Sequence, residues 1–229
     1  LPMKLAIVIP AYNEAATIRE VIRQVRAVEL PGIEKEIIVV DDGSSDKTAE
    51  IARLESAVVI RHRINRGVGG AWGTGMEAAF RRGADVIVTC DADGQHAATD
   101  IAKVLEPILK GRADVVIGSR MMNPGGMPWI RRVANRLANL VTLILYGIRT
   151  TDSQSGLRAF SRSAAEQIKI TASNYEVCSE ICGEVGRHHL RLTEVAIQSI
   201  YTEYSLSKGQ GFGVGLKTLF RLILSKRVR

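Results

Sequence analysis

Residues 84–96 read "ADVIVTCDADGQH", an apolar run that passes without a spacer into two carboxylates and an amide placed two residues apart. The apolar half is short, continuous and rich in Val and Ile, which is typical of a strand buried on both faces. In an extended stretch, residues two apart point to the same side, so we expect Asp91, Asp93 and Gln95 to project together. The stretch therefore predicts a buried strand with a cluster of oxygen ligands at its carboxyl end.

The same kind of apolar run recurs along the chain, and helical patterns separate the runs. The other predicted strands are residues 5–10, 36–41, 57–61 and 113–118, and the predicted helices are residues 15–28, 46–55, 71–82 and 99–110. Alternating strands and helices predict an α/β fold with a mostly parallel sheet, right-handed crossovers and helices on both faces. In such sheets, ligands bind at the carboxyl ends of the strands.

Polar clusters stand at those carboxyl ends: "AYNE" (11–14), "DDGSSD" (41–46) and "GSR" (118–120), besides the acidic stretch. We expect them to converge on one crevice. The alternative is that they are ordinary turns and helix caps, with Asn13 and Asp46 as the capping residues. Capping explains one residue in each loop, but it does not explain the paired acids in two of the loops.

The acidic stretch suits a hard divalent cation, because such ions take oxygen ligands and Mg²⁺ commonly combines one or two carboxylates with substrate phosphates. An ion held there would neutralise charge that develops on a leaving diphosphate. An EF-hand does not fit, since its sixth position would be His96 and its twelfth Ala102. A turn whose acids cap the following helix remains the simpler alternative.

The glycine-rich stretch "RGVGGAWGTG" (66–75) does not predict a dinucleotide site. The pattern G-x-G-x-x-G fails at Trp72 when it starts from Gly67, and at Ala78 when it starts from Gly73. No P-loop signature follows either. We expect these glycines to form a tight turn leading into the helix over 71–82.

Composition indicates one main domain. The chain has 229 residues, of which 46% are hydrophobic, which suffices for a single sizeable core. We expect a catalytic domain over residues 3–207 and a basic C-terminal segment over 208–229. Three cysteines cannot all pair with one another and no signal peptide is evident, so we expect reduced thiols on the cytoplasmic side. Cys178 and Cys182 are expected to be small buried residues rather than zinc ligands.

The net charge of +7 is concentrated in two segments that contain no acidic residue. Residues 120–149 carry +5 and residues 208–229 carry +6, which leaves the remainder of the chain at −4. This distribution indicates one anionic partner that meets one face of the protein. A nucleic acid is disfavoured, because only 5% of the residues are aromatic and no RNA-binding motif is present.

Both basic segments also contain amphipathic helical patterns. Residues 137–148 are apolar but fall short of the roughly 20 residues that a spanning helix needs. With Trp129 and several arginines before it, this segment predicts a helix lying in a membrane interface, and residues 214–229 read similarly. We expect a peripheral protein on the cytoplasmic face of a membrane, without a transmembrane helix. Core helices or contacts in a homodimer are the alternative.

Five motifs taken together resemble one family. "PAYNE" (10–14), "VVDDGSSD" (39–46), "DADGQH" (91–96), "GSR" (118–120) and "DSQSGLRAF" (152–160) are similar, in this order and spacing, to the GT-A-fold inverting nucleotide-sugar glycosyltransferases. Within that group they most resemble the polyprenol-phosphate hexosyltransferases, of the dolichol-phosphate mannose synthase type. The resemblance covers about residues 4–207. It implies a nucleotide-sugar donor, with GDP-mannose favoured over UDP-glucose, and a polyprenol phosphate acceptor.

The resemblance also implies roles for individual residues. The nucleotide-sugar pocket would be lined by Pro10, Tyr12, Glu14, Val40, Asp42, Asp91, Ala92, Asp93, Arg120 and Lys208. The metal, Mg²⁺ or Mn²⁺, would be held by Asp91, Asp93 and Gln95. Arg120 would reach the phosphates of donor or acceptor, Asp152, Ser155 and Gly156 match a turn near the acceptor, and Lys208 matches a basic residue of a loop that closes over the diphosphate. The stretch "MMNPGGMPWIRR" (121–132) matches the family only loosely.

Charge and spacing suggest how an acceptor phosphate would be held and activated. Arg131 or Arg132 could bind it through a bidentate fork, and Asn135 one turn later could add a hydrogen bond. A phosphate monoester has a second pKa of about 6 and is already anionic at neutral pH, so in-line attack on the anomeric carbon needs no strong base.

Two other functions remain open from the residues. A soluble glycan acceptor would require a general base, for which Glu176 and Glu180 are the candidates. A nucleotidyltransferase shares the metal–diphosphate chemistry, but "AYNEAA" lacks the glycine-rich basic loop expected after its first strand.

Overall fold

The computed structural model describes residues 2–200 of the chain. Lys208 and the expected C-terminal amphipathic segment lie outside the described residues. Seven strands form one sheet: β1 (Met3–Ala11), β2 (Ile33–Asp41), β3 (Val58–Arg61), β4 (Val86–Thr89), β5 (Val115–Ser119), β6 (Arg158–Ser161) and β7 (Leu192–Ala196). Their order across the sheet is β3-β2-β1-β4-β6-β5-β7, and β6 alone runs antiparallel to its neighbours.

Within the described residues, seven helices accompany the sheet: α1 (Ile18–Ala27), α2 (Thr48–Leu54), α3 (Gly67–Arg81), α4 (Asp100–Leu109), α5 (Trp129–Tyr146), α6 (Arg162–Gln167) and α7 (Val177–Arg187). Two apolar clusters cover the two faces of the sheet. One packs α1 and α4 against it, and the other packs α3, α6 and α7. The expected mostly parallel α/β architecture with helices on both faces is confirmed.

All five predicted strands and all four predicted helices are present, with small shifts at their ends. The sequence did not indicate β6 and β7. Both are short, and β7 is only half-buried along most of its length, so neither shows a continuous apolar run.

The start of α3 corrects one expectation. The helix begins at Gly67 rather than at residue 71, so the first glycines lie inside its first turn rather than before it. The cause is close packing of backbone on backbone. A Cβ at Gly69 would lie 2.0 Å from the carbonyl oxygen of Ala172, and one at Gly67 would lie 2.2 Å from that of Ser173. Glycine lets α3 rest directly on this segment.

Helix α5 is longer than the predicted segment and ends at Gly147, whose φ of 72° forms a left-handed cap. One side of α5 exposes large apolar residues at helical spacing: Ile130, Val133, Leu137, Leu140 and Ile144. Within residues 2–200, no helix combines the length and the apolar character that crossing a bilayer would need.

Candidate active site

The predicted polar loops meet where the strand order reverses. Strand β1 lies between β2 and β4, both parallel to it, so the loops after β1 and β4 open onto one crevice at the carboxyl edge of the sheet. The negative charge of Glu14, in the loop after β1, contributes to a raised pKa of Asp93, in the loop after β4. The two loops therefore bring their carboxylates together.

The acidic stretch is a turn, which corrects the expectation of an extended segment. Residues 92 and 93 form a turn, and Gly94, which follows them, has a φ of 73°. The backbone N–H of Gln95 donates to Oδ1 of Asp93 at 3.0 Å, and its side-chain amide donates to Oδ2 at 2.6 Å. Gln95 thus orients Asp93, and its predicted role as a metal ligand stays a prediction.

Asp91 is held by a buried histidine. Nε2 of His96 lies 3.0 Å from Oδ2 of Asp91, and the His96 side chain is 2% exposed. Burial alone would raise the pKa of Asp91. The hydrogen bond from His96 and the positive charges of His96, Arg120 and Arg158 outweigh burial and hold that pKa below its usual value. The lowered pKa favours the ionised form of the Asp91 carboxylate.

Asp93 shows the opposite shift. Burial, and next the negative charge of Asp91, raise the pKa of Asp93. Across the described part of the chain, no three His, Cys, Asp or Glu side chains converge as a ready-made metal cage. Two adjacent carboxylates that repel each other nevertheless fit a divalent ion that shares its ligands between the protein and a diphosphate, as Mg²⁺ commonly does.

Gly156 provides the surface on which Asp91 rests. A Cβ at this glycine would lie 2.1 Å from Oδ2 and 2.4 Å from Cγ of Asp91, so no other residue leaves room for the carboxylate. The Oγ of Thr89, at the end of β4, donates to the carbonyl oxygen of Gly156 at 2.8 Å. The acidic turn and the predicted acceptor turn are therefore parts of one site.

Arg120 is fixed by a bidentate ion pair. Its Nε and one terminal nitrogen each donate to a carboxylate oxygen of Asp152 at 2.8 Å, and its backbone N–H donates to the same carboxylate at 3.0 Å. Asp152 is fully buried and 18% of the Arg120 side chain is exposed. The carboxylate therefore orients the guanidinium while leaving part of it facing the crevice.

The turn that carries Asp152 is fastened from three directions. Glu194 on β7 accepts from the N–H groups of Thr151 and Asp152, and Asn139 on α5 bonds to the backbone at Thr151 and Ser153. On the interior side of the turn, the fully buried Arg158 side chain donates to the carbonyl oxygens of residues 153, 155 and 178. The site is thus preorganised by groups that satisfy its backbone.

The loops after β1 and β2 are joined to each other. The N–H of Asn13 donates to the hydroxyl of Ser44, and the Asn13 side chain accepts from the N–H of Ser45. Asn13, with a φ of 54°, therefore ties the loops together and does not cap α1. Asp46 bonds both to the N–H of Thr48 at the start of α2 and to that of Ala15.

The predicted nucleotide-binding residues divide into exposed and buried ones. Tyr12 is 48% exposed, and Pro10 and Glu14 are partly exposed beside it. Val40 is fully buried, and its side chain packs in the core under α3, so that side chain does not line the crevice. Ala92 is likewise buried in the other apolar cluster. Nucleotide contact at these positions stays a prediction.

Asp42 has a structural task that the sequence did not indicate. Its carboxylate accepts from the N–H groups of Arg66 and Gly67 at 2.8 and 2.7 Å, at the start of α3, and Nδ1 of His62 lies 2.6 Å away. Negative charge at a helix N-terminus is stabilising. Asp42 is 3% exposed, and its predicted contact with a nucleotide remains untested.

The predicted acceptor residues on α5 differ from one another. Arg132 donates to the carbonyl oxygens of Met127 and Pro124 at 3.1 and 2.8 Å, so its guanidinium braces the loop before α5. The sequence did not indicate this use, and phosphate contact by Arg132 stays a prediction. Arg131 and Asn135 are half-buried, and phosphate contact by both remains a prediction. Ser155 is fully buried, with an unpartnered hydroxyl.

The candidate bases on α7 lie in the protein interior. Glu180 is 7% exposed, and its carboxylate accepts from the N–H groups of Thr171 and Ala172 at 3.0 and 2.9 Å. It holds the segment on which α3 rests, which is a structural task. Glu176, the residue immediately before α7, is also buried, with 8% of its surface exposed.

Sequence reasoning missed four functional neighbours, namely His96 as a partner of Asp91, Asn139, Arg158 and Glu194. A signal existed for two of them. Arg158 stands in the apolar stretch "LRAF", and Asn139 interrupts an apolar helix. A polar residue in an apolar context usually has a specific partner.

Comparison with known proteins adds three findings. The model of the family described as "Glycosyl transferase family 2" matches residues 6–169. A UDP-N-acetylglucosamine–dolichyl-phosphate N-acetylglucosaminyltransferase of Methanococcus voltae is 40% identical, covering 96% of this chain and 95% of the relative. A polyprenol monophosphomannose synthase of Mycolicibacterium smegmatis is 33% identical, covering 91% and 82%.

Among solved structures, glucosyl-3-phosphoglycerate synthase of Mycobacterium tuberculosis, in complex with Mn²⁺, UDP and glucosyl-3-phosphoglycerate, superposes with a TM-score of 0.74. The match covers 98% of this chain and 80% of that one at 22% identity. The likeness confirms the expected GT-A fold.

Proposed function

Because the chain belongs to glycosyl transferase family 2, we propose that it transfers a hexose from a nucleotide-sugar donor to the phosphate of a polyprenol, with inversion at the anomeric carbon. One observation carries the proposal. The Asp91–Asp93 turn lies beside the Arg120–Asp152 ion pair at the carboxyl edge of the sheet, close enough that Arg120 lowers the pKa of Asp91. Oxygen ligands for a cation and a fixed guanidinium for phosphate thus share one crevice.

Asp91 and Asp93 are the residues that would hold Mg²⁺ or Mn²⁺ there, with Gln95 orienting Asp93. The ion would neutralise negative charge on the diphosphate as the bond to the sugar breaks. The mycobacterial synthase, which shares the fold, binds Mn²⁺ together with UDP. This supports the choice of ion without fixing its position.

The chain's own groups bind and orient the reactants. The guanidinium of Arg120 is a group that suits phosphate oxygens, and its two hydrogen bonds to Asp152 hold it in one orientation. The acceptor phosphate is anionic at neutral pH and attacks without a base. That agrees with Glu180, which is engaged by the backbone of residues 171 and 172. Catalysis then depends on position and on charge.

Two donors are proposed. GDP-mannose is the prediction of the sequence motifs, and the mycolicibacterial relative is named as a mannose synthase. UDP-N-acetylglucosamine is the second candidate, because the relative with 40% identity is named for that donor. Both relatives are named for polyprenol-type phosphate acceptors, which favours such an acceptor over a soluble glycan.

The outer face of α5 supports a membrane location for the reaction. Ile144 is 69% exposed and Trp129 is 73% exposed, and Arg131, Arg132 and Arg136 lie near Trp129 at the same end of the helix. An amphipathic helix of this kind lies in the interface of a bilayer. We infer that the protein docks peripherally there, with basic residues contributing about 1 kcal/mol each on an anionic surface.

The path of the chain supports the predicted role of Lys208. The N–H of Ile200 donates to the carbonyl oxygen of Gln95 at 2.9 Å, and His96 pairs with Ser199. The last described residues thus lie against the acidic turn. Lys208 follows eight positions after Ile200 and lies outside the described residues, so its contact with a diphosphate stays a prediction.

Labelled GDP-mannose and UDP-N-acetylglucosamine, each incubated with the protein, Mg²⁺ or Mn²⁺ and a polyprenol phosphate, test the proposal. Label should enter the organic phase with one donor and should not enter when polyprenol phosphate is omitted. Failure with both donors, while nucleotide binding is retained, would reject the transfer of mannose or N-acetylglucosamine to a polyprenol phosphate.

A further inference from the structure

The backbone around Asp152 is clamped by one amide side chain. Nδ2 of Asn139 donates to the carbonyl oxygen of Thr151 at 2.6 Å, and its Oδ1 accepts from the N–H of Ser153 at 2.8 Å. The two bonds join the residues immediately before and after Asp152. No other single contact on this turn spans both sides of the residue that orients Arg120, among those that the structure describes.

Only an amide side chain serves this geometry. The clamp needs a donor for a carbonyl and an acceptor for an N–H within one planar group, which Asn provides and which Asp, Ser or Leu cannot. Asn139 is also an amide in the largely apolar stretch over 137–148, where its neighbours Ala138 and Leu140 are apolar. Packing on α7 does not account for it, because that contact uses Thr142, whose hydroxyl lies 2.9 Å from that of Ser179.

We propose that Asn139 is a positioning residue for the transfer reaction, acting through the backbone of residues 151–153 on Asp152 and thereby on the Arg120 guanidinium. Because Asn139 belongs to α5, the seating of this helix would set, through Asp152, the direction of the Arg120 guanidinium. The reading of Arg120 as a phosphate-binding group rests on the proposed function, but the clamp itself does not.

The first test needs no substrate. The exchange of the Arg120 Nε–H with water is measured by ¹⁵N NMR, and its resonance is assigned by its disappearance in Arg120→Lys. In Asn139→Leu, which is close in size but lacks both bonds, we expect exchange about 10-fold faster, because the Arg120–Asp152 ion pair opens more often. Asn139→Asp keeps the acceptor and loses the donor. Its Arg120 Nε–H exchange rate should lie between those of the original protein and Asn139→Leu.

The matched control is Thr142→Val on the same helix. It is isosteric and removes the hydrogen bond to Ser179, but it does not touch the backbone of residues 151–153. A merely structural Asn139 would predict equal effects of Thr142→Val and Asn139→Leu once their thermal stabilities are matched. We expect Thr142→Val to leave Arg120 Nε–H exchange at its original rate.

The second test is a double-mutant cycle on kcat/KM for transfer. Asn139→Leu alone should lower kcat/KM about 10-fold, and in an Arg120→Lys background it should lower it less than about 2-fold, because the group it positions is already gone. Additive losses would overturn the proposal, and so would unchanged exchange in Asn139→Leu. If the unaltered protein transfers no sugar, the proposed function fails, while the exchange measurement still decides the clamp.

Discussion

The carboxylate of Asp91 rests on the backbone of Gly156, so closely that a Cβ on the glycine would lie 2.1 Å from Oδ2. The two residues are 65 positions apart in the chain. The contact joins the acidic turn after β4 to the turn that precedes β6, and it makes the direction of Asp91 depend on the absence of a side chain at residue 156.

Gly156→Ala should therefore inactivate the enzyme without unfolding it. The added methyl group forces Asp91 to move by about 1 Å or more, and such a displacement of a catalytic group lowers the rate about 100-fold. We expect that loss in kcat/KM with an unchanged circular dichroism spectrum. Gly73→Ala is the control, because its methyl group would meet only Ile170, at 3.8 Å. Near-normal activity in Gly156→Ala would contradict the role of this contact.

Asp93→Asn should separate activity from stability. Burial and the charge of Asp91 raise the pKa of Asp93, so its ionised form opposes folding. That destabilisation is complete above the pKa of Asp93 in the folded protein. It vanishes below the pKa of Asp93 in the unfolded chain, which is about 4. We expect transfer to fall by about 1,000-fold, while Tm at pH 7 is equal to or above that of the original protein. The gain in Tm should shrink as the pH approaches 4.

A chelator tests whether transfer depends on a divalent cation. Excess EDTA should stop transfer by the original protein, and added Mg²⁺ or Mn²⁺ should restore it. Full turnover in excess EDTA would contradict the assignment of Asp91 and Asp93 as metal ligands.

Arg131 and Arg132 should respond differently to substitution by Ala. Arg132 braces the carbonyl oxygens of Pro124 and Met127, so Arg132→Ala should mainly lower Tm, with kcat changed less than about 3-fold. Arg131→Ala should raise KM for the polyprenol phosphate about 10-fold and leave KM for the donor unchanged, because a charge-assisted hydrogen bond to phosphate is lost. Equal increases in both KM values would refute acceptor binding by Arg131.

The apolar face of α5 can be tested with a closely matched pair. Ile144 on α5 is 69% exposed, and Leu54 on α2 is 68% exposed. Ile144→Glu should reduce sedimentation with anionic vesicles about 10-fold, since it removes an apolar anchor and adds a repelled charge. Leu54→Glu should not. If the original protein does not sediment and Ile144→Glu instead converts a dimer to a monomer, the face is a contact between two copies.

The three cysteines should be unreactive in the folded protein. Cys90, Cys178 and Cys182 are all buried, and burial raises the pKa of Cys178 to about 11. At pH 8 its thiolate fraction is then about one in a thousand, and the thiolate is the reactive form. We expect a thiol reagent at pH 8 to label no cysteine until denaturant is added. Rapid labelling of Cys178 or Cys182 in the native protein would show that α7 opens readily.

The sequence predicted the elements that carry strong local signals. The Val- and Ile-rich runs identified β1 to β5, because strands buried on both faces must be apolar throughout. The paired acids after β4 and the polar loops after β1, β2 and β5 identified the edge that holds the site, since parallel strands place their carboxyl ends together. Comparison with known proteins confirmed the family that the five motifs resemble.

Contacts between distant residues were missed. The sequence did not indicate that the carboxylate of Asp42 holds the first turn of α3, or that Arg132 braces the loop before α5. Residue type shows what a side chain can bind. It does not show which partner reaches it first.

By itself, the sequence determined the fold class and the strand ends at which the polar loops and the paired acids lie, because these follow from burial patterns and short motifs. Only the tertiary structure decided which carboxylates remain available in the crevice, that Asp152 orients Arg120, and that Asn139 and Gly156 fix the turn beneath them. The physical reason is that hydrogen bonds to buried backbone are satisfied by whichever side chain the packing brings near, and sequence spacing does not encode that proximity.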